Sequence, residues 1–304
     1  MTRIRLGISS CLLGNRVRYD GQDQLDRFLR DDLGAHVDYL PICPEVECGL
    51  PIPREAMRLI GSPTNPRLVT IQTERDLTDQ MQRWIAERLT VLEQEHVDGF
   101  IFKRGSPSSG LERVKVYNNK GIPQNSGRGL FARAFIERFP DLPVIEEGMF
   151  HDRFLRERFL NRIFTLQRLN EASLSTRNPR NMLSTFQAEN KLLIMSHAAN
   201  RYAELGQLAS TGDIQAYRQK LNSLLTYMPS TRKHINVMQH MLGYFKTDLD
   251  SWEKQEVLTT FSEYAQNRVP IAVPLTLLRH FSRKYQNAYL QQQTYWNILG
   301  PLYL

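Results

Sequence analysis

The chain has 304 residues, 41% of them hydrophobic, and a formal net charge of +7 at neutral pH. That length and apolar content exclude a disordered or fibrous chain and are comfortable for two domains, and no eighteen-residue apolar run suggests a membrane helix. Three cysteines, an odd number, argue against a secreted disulfide framework, and Met1 to Leu6 lead into a strand without a signal-peptide pattern, so a cytoplasmic protein is expected.

In chain order, Ile4, Leu6 and Ile8 alternate ahead of Cys11, and Val37, Tyr39, Leu40 and Ile42 run into Cys43; both segments read as buried strands. A third, Val97 to Phe102, ends in Lys103-Arg104-Gly105-Ser106-Pro107-Ser108-Ser109-Gly110. Helical spacing over Gln24–Leu33 and Asp79–Leu92 (Met81, Ile85, Leu89, Leu92) alternates with these strands, which predicts an α/β domain with a mostly parallel sheet. In such a sheet ligands bind beyond the carboxyl ends of the strands, so the polar loops after the three strands are expected to converge.

Cys11, Cys43 and Cys48 all lie in the first sixth of the chain, the latter two in Cys43-Pro44-Glu45-Val46-Glu47-Cys48. Free cysteine is often simply core, and Cys-x4-Cys is not a common zinc spacing. The neighbouring Glu45 and Glu47, between Pro44 and Gly49, favour a site instead. Three thiolates in that company suit a cubane iron–sulfur cluster better than zinc, with one iron left open to substrate. From Lys103 to Arg128, six basic residues (Lys103, Arg104, Arg113, Lys115, Lys120, Arg128) face one acidic, and glycines interleave with Ser and Asn. This reads as a loop, either an ordinary surface loop or one whose N–H groups and cations meet a phosphate.

Residues 1–150 carry 20 Lys and Arg against 21 Asp and Glu, the remaining 154 residues 19 against 11, so the basic surplus sits in the C-terminal half. That half reads as a helical bundle: Asp152–Asn170, Lys191–Leu208, Ile214–Tyr227, Lys233–Phe245, Ser251–Arg268 and Pro274–Leu290, with Ser251 as an N-cap and Ser173–Ser184 as a linker. Bases mix there with aromatics: Lys191, His197 and Tyr202; Lys233, His234, Tyr244 and Lys246; Arg283, Lys284 and Tyr285. Cations for phosphates and flat groups for unpaired bases make these, with Arg104, Arg113 and Lys115, the candidate nucleic-acid contacts.

The segments Ile8-Ser9-Ser10-Cys11-Leu12-Leu13-Gly14, Arg18-Tyr19-Asp20-Gly21, Cys43-Pro44-Glu45-Val46, Gly49-Leu50-Pro51-x-Pro53-Arg54 and Lys103-x2-Ser106-Pro107-Ser108 resemble the TudS-type desulfidase domain. The residues after 186, among them His234, Asn236, His240 and Gly243-Tyr244-Phe245-Lys246, resemble the C-terminal domain of YbgA proteins. The combination is similar to two-domain RudS-like enzymes that convert 4-thiouridine in tRNA to uridine. The resemblance implies domains over 1–150 and 186–304 with a helical linker over 151–185, and a [4Fe-4S] cluster held by three cysteines. It also implies tRNA as partner, with no membrane and no obligate protein partner. Family members end the third loop in Ser-Pro-Ser-Cys-Gly, the cysteine being a ligand. Here Ser109 stands in its place, so Cys48 is expected to join Cys11 and Cys43 as the third ligand. The implied chemistry makes Glu45 the general base and proton donor, Ser106 an orienting or protonating group, and Lys103 a stabiliser of developing charge or substrate phosphate. Turnover of free thiobases, or a non-enzymatic RNA-binding module with structural cysteines, are the alternatives.

Overall fold

In the computed structural model, residues 3–118, 120–174 and 176–298 are described. The chain divides into two compact units, one up to Asp152 and one from Arg153 onward. No helix among the described residues is long and apolar enough to cross a membrane.

The first unit is α/β. Four parallel strands, β1 (Ile4–Ser9), β2 (Val37–Ile42), β5 (Gly99–Phe102) and β8 (Val144–Glu146), form one sheet in the order β2-β1-β5-β8. Every residue of β5 is buried, the near-continuous apolar run expected where helices cover a parallel sheet. Phe100 stacks on Phe102 with ring centroids 4.1 Å apart, and Phe131 and Phe135 of helix α3 (Leu130–Arg138) meet both edge-on. Gly7 is required here, because a Cβ at that position would lie 2.2 Å from a Phe100 ring carbon. Helix α2 (Thr78–Glu95) buries Met81, Ile85, Leu89 and Leu92, the four residues whose spacing predicted it.

A second, mixed sheet went unpredicted. Strands β3 (Met57–Ser62), β4 (Asn65–Thr70), β6 (Val114–Tyr117) and β7 (Pro123–Gly127) pair in the order β4-β3-β6-β7. Residues 114–127, read as loop, are therefore mostly an antiparallel hairpin. Val114 and Val116 turn inward and Lys115 outward, a short period-2 signal that the surrounding glycines and basic residues obscured. Gln24–Leu33 yields only a π-helical turn over Phe28–Leu33.

The second unit is helical: α5 (Arg153–Leu174), α6 (Pro179–Glu189), α7 (Lys191–Ala198), α8 (Tyr202–Thr211), α9 (Ile214–Leu225), α10 (Thr231–Leu242), α11 (Ser251–Ala265), α12 (Ala272–Lys284) and the short α13 (Ala288–Gln291), whereas the short α4 (Glu147–Phe150) follows β8 in the first unit. Residues 151–185 are not a linker. Leu166 and Leu169 of α5 and Leu183 and Phe186 of α6 belong to one buried cluster with Leu205, Tyr217 and Leu221. The apolar spacing of Met182, Leu183 and Phe186 after Asn178-Pro179, an N-cap and N1 pair, carries α6. The predicted helix over Lys191–Leu208 is broken by a 3-10 turn at Ala199–Arg201. Asp250, not Ser251, caps α11, in a reciprocal capping box with Glu253.

Candidate active site

The carboxyl ends of β1, β2 and β5 supply three neighbouring walls of one cleft, of about 490 Å³. Cys11 follows β1 in a 3-10 turn over Ser10–Leu13, and Cys43 follows β2 as the extended N-cap of α1 (Pro44–Glu47). The loop Lys103–Ser109 follows β5, and the Lys103 N–H donates to Ser9 Oγ at 2.9 Å, tying the exits of β5 and β1 together. The register, Ser9 opposite Ile42 and Ile8 opposite Ile101, brings these three exits level.

Glu45 is 9% exposed and joins two of the walls. Its Oε1 accepts from Ser108 Oγ at 2.7 Å and from Ser106 Oγ at 3.4 Å, while the Cys43 thiol donates to Oε2 at 3.5 Å. Ser106 Oγ in turn accepts the N–H groups of Ser108 and Ser109, at 3.2 and 3.1 Å, which closes the loop on itself. The other face of that loop meets α3. Ser108 O accepts from Phe131 and Ala132 N–H, and Gly129 permits the approach, since a Cβ there would lie 2.4 Å from the Ser108 carbonyl.

Two adjacent acids at the end of β8 hold both ends of the same loop. Glu147 forms an ion pair with Lys103 Nζ and accepts the Arg104 N–H at 2.6 Å. Glu146, 2% exposed, accepts the N–H groups of Leu111 at 2.7 Å and Glu112 at 3.2 Å. Neither was a sequence candidate. An acidic pair after a short strand carries no signal for loops some 35 to 44 residues earlier in the chain.

Burial pushes the Cys11 thiol up to about 11, with Lys103 opposing and Glu45 adding to the shift. Burial and the Glu45 carboxyl push Cys43 up to about 12, with Arg54 opposing. Burial thus favours the thiol over the thiolate at both positions, and a metal would have to displace that proton to bind there.

Cys48 does not join them. It sits at the C-cap of α1, donates to Glu45 O at 3.2 Å, packs against the hydrophobic core and is absent from the cleft lining, whereas Ser109 lines the cleft. One helical turn, started by Pro44 at N1 and ended at Gly49 with φ +95°, separates Cys43 from Cys48 and sends the two side chains to different surroundings. The donor set facing the cleft is thus two thiols, the Glu45 carboxyl and serine hydroxyls, bordered by Arg18, Arg54 and Lys103. Two thiols among three cations suit an anionic metal–thiolate group, but the expected three-cysteine set is not gathered, and no group of three His, Cys, Asp or Glu able to hold a metal occurs among the described residues.

The candidate nucleic-acid contacts divide. In the first unit Arg104, Arg113 and Lys115 are exposed. In the second, Lys246, Arg283 and Lys284 are exposed, Lys284 paired with Glu253 at 2.8 Å, and Lys191 lies 5.9 Å from the Tyr202 ring centroid. Lys233 is turned inward, its Nζ donating to His197 O and Met228 O. His197 and His234 are fully buried and cannot reach a ligand. His234 Nε2 meets Glu157 and its Nδ1 meets Tyr295 OH at 2.8 Å. His197 bridges Asn161 Nδ2 at 3.1 Å and Tyr227 O at 2.8 Å. Their polar spacing resembled a surface pattern because the partners that satisfy them lie on other helices.

Residues 191–299 match a family model described as a protein of unknown function, DUF1722, and residues 6–147 match the 2-thiouracil desulfurase model. The uncharacterized protein YbgA of Escherichia coli strain K12 is 30% identical over 173 residues, which cover 54% of this chain and 91% of that protein. The chain belongs to the YbgA family. This YbgA-family chain joins a 2-thiouracil desulfurase domain, which carries the cleft, to a C-terminal DUF1722 domain. A solved structure of the [4Fe-4S]-dependent thiouracil desulfidase TudS is 32% identical and covers 48% of this chain and 93% of that chain, with a TM-score of 0.40.

Proposed function

We propose that this protein removes sulfur from a thiolated pyrimidine, replacing the C=S sulfur with the oxygen of water and releasing sulfide without net redox change. The observation that carries this reading is the convergence of Cys11, Cys43, Glu45 and Ser106 in one cleft of the desulfurase domain. A [4Fe-4S] cluster is the proposed cofactor, held by Cys11 and Cys43, and supplies Lewis acidity toward a thiocarbonyl when bound. Glu45 takes the proton of the attacking water and returns one to the ring nitrogen or the departing sulfide, and its bonds to Ser106 and Ser108 fix its position for both. Lys103, held by Glu147, places a partnered cation at the cleft wall.

The proposed substrate is 4-thiouridine in tRNA. A base in a folded RNA leaves its stack to reach the thiols at the strand ends, while the basic surplus of residues 151–304 and exposed Lys246, Arg283 and Lys284 favour a polyanion. The test is sulfide release from thiolated tRNA, and separately from 2- and 4-thiouracil, by anaerobically reconstituted protein. Release from tRNA at the higher kcat/KM supports the reading. Release from the free bases alone transfers the activity to them, and no release from iron-loaded protein refutes desulfidation.

A further inference from the structure

One surface of the helical unit, where α7, α10 and α13 meet, has no part in the chemistry above. Leu192 N–H donates to Gln293 Oε1 at 3.2 Å and Gln293 Nε2 donates to Ala188 O at 2.8 Å, which fastens the residues after α13 to the start of α7. Tyr244, in the 3-10 turn after α10, stacks on Tyr289 of α13 with ring centroids 5.3 Å apart. His240, one turn earlier, meets Tyr244 edge-on at 5.8 Å. Tyr202 belongs to the same group: burial first, then Tyr244 and Tyr202, push the Tyr289 phenol up. Lys191 Nζ lies 5.9 Å from the Tyr202 ring centroid, so four aromatic side chains and a cation are gathered here from separate elements.

The group is open to solvent. Tyr244 keeps 36% of its surface exposed, His240 and Lys246 are exposed, and a Cβ on Gly243 would meet nothing within 4 Å. Its charge is one-sided. Residues 214–247 and 264–304, which supply α10, the turn and α13, contain five and four Lys or Arg and no Asp or Glu. Glu204, the acid two residues past Tyr202, is paired with Arg201 at 3.0 Å and with Lys220. Exposed aromatic rings among cations, without a free carboxylate, suit flat groups strung on a polyanion, which describes an unpaired nucleic-acid strand. We infer that Tyr244 and His240, backed by Tyr289, form a stacking platform for unpaired bases of an RNA, with Lys191 and Lys246 meeting its phosphates. The inference deepens the reading of RNA as partner and rests on it for the identity of the polymer, but it requires no desulfidation.

Fluorescence anisotropy of the full-length reconstituted protein tests this with two probes, a labelled oligouridylate and the same strand paired with oligoadenylate. A platform holds unpaired bases, so the single strand is expected to bind more tightly than the duplex. Tyr244→Leu keeps bulk but removes the ring, and is expected to weaken the single strand about 5- to 150-fold, the range of one base–aromatic stack, while Tyr244→Phe keeps the wild-type affinity. Lys246→Gln is expected to weaken strand and duplex together and to lower the slope of log Kd against log salt for the strand by about 0.7, the share of one phosphate contact. Unchanged strand affinity in Tyr244→Leu, an equal loss in Tyr244→Phe, or a wild type that binds duplex as tightly as strand overturns the inference. Should Tyr244→Leu not fold, unchanged strand affinity in His240→Ala overturns it. A wild type that releases sulfide from thiouracil yet binds neither probe refutes the platform and leaves desulfidation standing. Strand binding that depends on Tyr244, with no sulfide released from any substrate, refutes desulfidation alone.

Discussion

Glu45 sits at the point where three kinds of side chain meet: a thiol, two hydroxyls and, through the turn it belongs to, the hydrophobic core behind Cys48. Its proposed role in proton transfer and its observed role in joining two loops are separable. Glu45→Gln keeps an oxygen that accepts from Ser108 but removes the proton acceptor, so sulfide release is expected to fall about 100- to 10,000-fold while the urea midpoint barely moves. A fall in stability to match the fall in rate would make Glu45 a structural residue. That Glu45, Cys11 and Cys43 share one cleft was legible because strand alternation followed at once by a polar, chemically loaded residue marks a strand exit. The position of Cys48 was not legible, because Cys-x4-Cys does not say which side of a single helical turn each thiol takes.

At the scale of elements, the two acids closing β8 are the clearest case of a sequence feature whose meaning lies in topology. Glu146-Glu147 reads as a junction along the chain, yet β8 lies beside β5 in the sheet, and the parallel register delivers both carboxylates to the start and end of the loop that follows β5. Glu146→Ala leaves the buried Leu111 N–H without its acceptor and is expected to cost about 1–3 kcal/mol of stability, read from the urea midpoint. The unmoved midpoint of such a variant would show that water or a neighbouring group replaces the carboxylate. The β6–β7 hairpin escaped the sequence reading for the opposite reason: its two-residue period is too short to outweigh the glycines around it. In the helical unit, Tyr217 has a buried hydroxyl without a partner among the described residues. Tyr217→Phe removes only that oxygen and is expected to leave stability unchanged or raise it by up to about 1 kcal/mol, and a clear loss would reveal a partner for the hydroxyl.

For the whole molecule, pH offers a way to follow the helical unit within the intact chain. The His197 ring is completely buried, and burial pushes its pKa from the ordinary 6.5 down to about 4. Asn161 Nδ2 also reaches toward Glu157 Oε1, so this amide nitrogen is a donor, His197 Nε2 accepts from it, and Nδ1–H donates to Tyr227 O; that is the neutral ring. Between pH 6.5 and 4 the unfolded chain binds a proton that the folded ring refuses. Stability contributed by this residue is therefore full above pH 6.5 and is lost as pH falls toward 4, a difference on the order of 3 kcal/mol across that window. Glu157, His234 and Lys233 surround the ring, and their charges are common to the wild type and a variant. His197→Gln retains an acceptor for Asn161 and a donor for Tyr227 O but does not titrate. Urea unfolding of the full chain, followed at several pH values, is expected to show a shallower decline between pH 6.5 and 4 for His197→Gln than for the wild type. Parallel declines would mean that the folded state takes up the proton after all, by opening the packing between α7 and α10, and the neutral buried ring would have to be abandoned.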